Sequence, residues 1–181
     1  MGRAAVHVGH LSESDALMYI TERVPTKFVD QHCRNQIAQA VVEAFDCRVL
    51  TLQKVCEHLR AGRPSDLVDI NDRIEEAKSK EFEKAANGWE YFCLKISEVL
   101  GDAYDPDTVR MVVKKLEQEP QNMYEVAIAL SKKGVRAQLS PRLIGIFNES
   151  AGYPPLAIDP FDSKVSLSGK VIRAVLAEKY K

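Results

Sequence analysis

The chain lacks the motifs that carry most nucleotide, phosphate and acyl chemistry. It has no Gly-x-Gly-x-x-Gly fingerprint, no Gly-x-x-x-x-Gly-Lys-Ser/Thr loop and no Gly-x-Ser-x-Gly turn. That removes the motif grounds for a dinucleotide site, a phosphate loop or a nucleophile elbow. No Cys-x-x-Cys pair occurs among Cys33, Cys47, Cys56 and Cys93, and structural zinc sites are built on such closely spaced pairs. No apolar run approaches the length of a membrane span. The first residues, "MGRAAVHVGHL", contain no signal-peptide core, and Gly2 lacks the Ser or Thr at position six that myristoylation needs. The chain therefore reads as cytoplasmic, with reduced thiols packed as small hydrophobes. A chain secreted without a cleavable signal would look the same.

Strong charge of one sign is also missing. The formal net charge is -1, so no overall field draws the chain to nucleic acid or membrane. The charge is unevenly spread, however. Residues 64–107 hold 5 basic against 12 acidic side chains, and residues 108–181 hold 12 against 7. The acidic block centres on Asp66, Asp69 and Asp72. It reads first as the solvated face of a helix, laced with Arg73, Lys78, Lys80 and Lys84, and second as an acidic face for a protein partner.

What is present is helical periodicity. With 181 residues, 45% of them hydrophobic, the chain is long enough to bury a core without disulfides or metals. "SESDALMYITERV" opens with Ser12 or Ser14 as an N-cap and has acids in its first turn. "TKFVDQHCRNQIAQAVVEAF" keeps Phe28, Cys33, Ile37, Ala40, Val41 and Ala44 near one stripe. "TLQKVCEHLRAG" reads as a third helix, capped by Thr51 and ended by Gly62. In "DLVDINDRIEEAKSKEFEKAANGWEYFCLKISEVLG", one three-four register runs through Leu67, Ile70, Ile74 and Ala77. A second runs through Phe82, Ala85, Trp89, Phe92, Ile96 and Val99, offset by one residue. Either one long helix changes its packing partner there or the chain breaks. The first is favoured, because the second register passes through Asn87-Gly88 without a slip. A mid-helix glycine costs only about 1 kcal/mol.

Further helices follow from Asp105-Pro106-Asp107 to before Pro120, through "QNMYEVAIALSKKG", from Ser140-Pro141, and through "SLSGKVIRAVLAEKYK". Only "CRVL" and "VRAQL" suggest strands. The expectation is an all-α bundle of about seven to eight helices in a single domain over residues 1–181. Residues 1–11 should be flexible, and a subdivision is possible near 101–106.

"SAGYPPLAIDPFDSK" interrupts this pattern with three of the eight prolines. A loose linker would be polar or rich in Gly and Ser. Here Tyr153, Leu156, Ile158 and Phe161 recur every two or three residues, as in an extended strap laid on a core before the C-terminal helix. On that reading Phe161 and at least one of the other three are buried. On the alternative, Tyr153, Leu156 and Phe161 contact a partner.

No catalytic residue, cofactor site or metal ligand is assigned. His32, Cys33, Cys47, Cys56 and His58 form the only His/Cys grouping, and Cys56 and His58 lie two apart, on different faces of a helix. The leading functional expectation is a helical protein–protein interaction module (an adaptor, regulator or effector) without catalytic activity. The first alternative is a nucleic-acid-binding regulator using a helix-turn-helix-like segment at 51–78. Its second helix would present acids to phosphates, which makes nucleic acid the weaker partner class. An enzyme whose site is assembled only in three dimensions is the second alternative.

Overall fold

The computed structural model describes residues 11–24, 31–45, 47–61, 67–131, 140–148, 153–159 and 161–180, without the side chains of residues 67–69, 140 and 148. Within these residues the protein is all-α in character, with eight α-helices and one small sheet. The chain divides into two compact units, Met1–Glu81 and Phe82–Lys181. The 101–106 turn lies inside the second.

In the first unit, α1 (Glu13–Thr21) packs on α2 (Gln31–Ala44) and α3 (Val49–Ala61). Ser12 is the N-cap of α1, its Oγ accepting the Asp15 N–H at 3.1 Å. Ile20, Ile37, Val41, Phe45, Leu52 and Leu59 fill the core. Thr51 does not cap α3. The helix starts two residues earlier, so the "CRVL" strand expectation fails at Val49, where helix has already begun. Leu11 is tied down, its amide donating to the Cys47 carbonyl at 2.8 Å. The "VRAQL" segment and residues 1–10 lie outside the described residues.

Helix α4 is one continuous element, Leu67–Leu100. It gives Ile70, Ile74 and Ala77 to the first core and Ala85, Trp89, Phe92, Ile96 and Leu100 to the second. The one-residue slip between Ala77 and Phe82 is thus a change of packing partner along a single helix. Gly88 sits in α4 for a steric reason. A Cβ there would lie 2.3 Å from the Tyr153 carbonyl oxygen, so only glycine lets that backbone approach the helix.

In the second unit, a 3₁₀ turn (Gly101–Ala103) leads to α5 (Pro106–Gln118), capped by Asp105, whose Oδ2 accepts the Thr108 hydroxyl at 2.7 Å. Then come β1 (Gln121–Asn122), α6 (Met123–Leu130), α7 (Ser140–Asn148), β2 (Leu156–Ile158), β3 (Lys164–Leu167) and α8 (Lys170–Lys179). The sheet is antiparallel in the order β1-β3-β2, with Gln121 opposite Val165 and Leu156 opposite Leu167. Sequence periodicity predicts none of these strands. At two to four residues they are too short for alternation to show.

Cys56 is a buried thiol and Cys93 a partly buried one. Burial pushes the Cys93 thiol up to about 11 and the neighbouring Tyr104 phenol up to about 12. Folding therefore favours their protonated forms. That contribution is complete below their ordinary values and is lost as pH climbs through the shifted ones. The urea midpoint is expected to fall between about pH 9 and pH 11, and less steeply in Cys93→Ala than in the parent. Equal slopes would contradict this account.

Candidate functional site

Among the described residues of the Pro-rich segment, 153–155 lead into a β-hairpin that begins at Leu156. Tyr153 and Leu156 are buried, at 6% and 5% exposure, in the core of the second unit. Phe161 does the opposite of what its spacing predicts. It is 96% exposed. The spacing of two and three that joins it to Ile158 holds only while the strand lasts, and the last pair of the ladder is Ile158 opposite Val165. The described residues from Asp159 to Ser163 lie outside the strands.

That turn is pinned from several sides. The Asp159 amide donates to the Lys164 carbonyl at 2.8 Å, closing the loop. The Phe161 amide donates to Asp159 Oδ1 at 2.8 Å, and the Lys164 amide to Asp162 Oδ1 at 3.1 Å. Both are local Asp side-chain turns. Ser163 takes the left-handed conformation, φ 55. Its carbonyl accepts the Met123 amide at 2.9 Å, joining the tip to the first turn of α6. Lys164 Nζ meets Asp162 Oδ2 at 2.9 Å, which holds the Asp162 carboxyl below the usual carboxylate range. The phenyl ring therefore stands on a fixed support. The sequence does carry a signal for this. "DPFDS" is turn chemistry between two short apolar runs.

Because Phe161 touches so little, Phe161→Ala should leave the urea midpoint and slope unchanged, within about 0.5 kcal/mol. A loss of about 3–5 kcal/mol, the cost of truncating a buried phenylalanine, would restore the buried reading.

The acidic candidates are less productive. Asp66 and the side chain of Asp69 lie outside the described residues. Asp72 is exposed on α4. Further along, Glu75 pairs with Lys78 at 2.9 Å, while Glu76 pairs with Lys80 and lies 3.2 Å from His58 Nε2. These surface pairs satisfy one another, as a solvated helix face does. In the 51–78 segment, α3 and α4 are both present, and the residues between them lie outside the described set.

Helix α5, strand β1, the adjacent helices α6 and α7, and a hairpin whose second strand is central follow one another in the second unit. Here α7 buries Leu143, Ile146 and Phe147 and exposes Pro141, Arg142 and Gly145.

For catalysis, one cleft of about 310 Å³ is lined by Tyr19, Arg23, Gln53, Cys56, Glu57 and Arg60. Its arginines serve the backbone. Arg60 Nε donates to the Arg23 carbonyl at 2.8 Å, and Arg23 Nη1 to the Tyr19 carbonyl at 3.2 Å. Burial pushes the Cys56 thiol up, which opposes the thiolate a nucleophile needs. Among the described residues, no three His, Cys, Asp or Glu side chains converge where a metal could sit, and no helix is long and apolar enough to cross a membrane.

Compared with known proteins, the chain matches no family model, no curated protein and no solved structure.

Proposed function

We propose that the protein is a protein-interaction module, an adaptor or regulator, whose contact is anchored by Phe161. The observation that carries this reading is a phenylalanine at 96% exposure on a hydrogen-bonded turn. Burying such a ring in a partner is worth up to about 3 kcal/mol. Holding it on a fixed tip beforehand removes part of the ordering cost of binding. Few aromatic side chains dominate most interfaces.

The test uses the full chain with a photo-reactive benzoylphenylalanine at position 161, expressed in the producing cell, with Met18 as an equally modified exposed control. A protein adduct specific to position 161, whose affinity then falls at least about 30-fold (about 2 kcal/mol) in Phe161→Ala, supports the reading. No specific adduct at position 161 or, with the photo-reactive residue moved there, at position 124 would end it.

The order of α5, β1, α6, α7 and the hairpin resembles that of a winged helix, which favours a second reading, nucleic-acid binding through α7 and the hairpin, beside the 51–78 segment. Its support is fold-level analogy. Against it, the described exposed residues of α7 supply one cation, Arg142, and the hairpin tip carries Asp159 and Asp162, where phosphate contact needs positive charge. Fluorescence anisotropy with a labelled random duplex separates the two. Binding tighter than about 10⁻⁴ M at physiological salt, weakening steeply as salt rises and lost in Arg142→Ala, would favour nucleic acid.

A further inference from the structure

The surroundings of Phe161 say what kind of partner pocket would receive it. Three carboxylates share the hairpin base and tip. Asp159 and Asp162 flank the ring in sequence, and both bond backbone amides of the turn. Glu119 is close enough, with Asp162 and Asp159, to raise the pKa of Lys164. Among the described residues Lys164 is the one cation of this group, and Asp162 already engages it at 2.9 Å. An aromatic ring on a pinned turn therefore stands beside more described carboxylates than cations.

Exposed apolar side chains also occur on α6, whose first turn is bonded to the hairpin. The Met123 amide is bonded to Ser163 at the turn, which places Tyr124, the next residue, beside the tip. Tyr124 and Ile128, four residues apart and so on one face of α6, are 55% and 59% exposed. The opposite face of this short helix buries Val126, Ala127 and Leu130. A helix apolar on both faces normally has both covered.

We infer that the partner is a protein presenting an apolar pocket rimmed by lysine or arginine side chains, which takes Phe161 while the rim meets Asp159 and Asp162. This rests on the reading of Phe161 as a protein contact. The charge argues against the other occupants. Anionic lipid surfaces and phosphate backbones both attract cations, and the tip offers them carboxylates. Charges at the rim of an interface mainly steer the approach, so they act on the association rate and its salt dependence. The ring acts on the lifetime of the complex.

The experiment follows the partner identified by the crosslink at position 161, with a second photo-reactive site at Tyr124 in case the bulkier residue blocks a close-fitting pocket. Association and dissociation are measured by surface plasmon resonance for the full chain and for Asp159→Asn/Asp162→Asn. Asparagine keeps the oxygen that accepts each turn amide and removes the charge. The double variant is expected to associate about three- to tenfold more slowly at 50 mM salt, with its dissociation rate unchanged. The difference should vanish at 500 mM, where charges are screened within about 4–5 Å. An association rate that is unchanged or faster overturns the cationic rim and leaves the protein-contact reading standing. A crosslink to a second copy of this chain also overturns the inference. Crosslinks to lipid or nucleic acid, or none at either position, overturn both.

Discussion

Gly88→Ala is expected to destabilise the second unit by about 3 kcal/mol or more, whereas Gly145→Ala should stabilise it by up to about 1 kcal/mol. Both glycines are inside helices, and helix propensity alone predicts a gain at each. The environments differ. A methyl group at Gly88 would sit 2.3 Å from the Tyr153 carbonyl oxygen and 3.2 Å from its Cβ, while one at Gly145 would meet nothing within 4 Å. Relieving the first clash means moving backbone whose own side chain is buried in the core. Packing therefore outweighs propensity at Gly88 and propensity prevails at Gly145. Urea denaturation followed by far-ultraviolet circular dichroism reads both signs. Two shifts in the same direction would sink the argument.

Trp89→Ala is the other large expected loss, about 3–5 kcal/mol. The indole is 1% exposed, its ring centre 5.3 Å from that of Phe92 and 6.3 Å from that of Tyr180, the latter edge-on. It also lines a small internal void of about 10 Å³ with Val112, Val113, Leu116, Val126 and Leu156. An apolar void of that size stays dry, so truncating the indole enlarges an existing defect that water does not fill. Trp89→Phe should fall between the parent and the alanine variant. A loss below about 1 kcal/mol for Trp89→Ala would mean that the surroundings collapse into the space.

The helices were legible because each advertises itself locally. Ser12, Asp105 and Pro106 mark starts, and the slip between Ala77 and Phe82 marks a change of core along one helix. Gly88 was legible as a tolerated glycine but not as a required one, because the atom that requires it belongs to Tyr153, far along the chain. The sheet was hidden for the same reason. Gln121 becomes a strand residue only when Val165 lies opposite it. Spacing misplaces Phe161 because the alternation ends with the strand, at Ile158 opposite Val165. The candidacy of Phe161 as a contact residue survives, while Tyr153 and Leu156 are taken up by the core.

An exposed aromatic ring beside a β-hairpin invites the question of aggregation. The sheet's edges are β1, two residues long, and β2, three residues long and preceded by Pro154 and Pro155. Strand addition needs a run of unpaired amides and carbonyls, and short, proline-bounded edges offer almost none. The longest strand, β3, is paired on both sides. Phe161 can thus stay in water without a template beside it onto which another chain could grow.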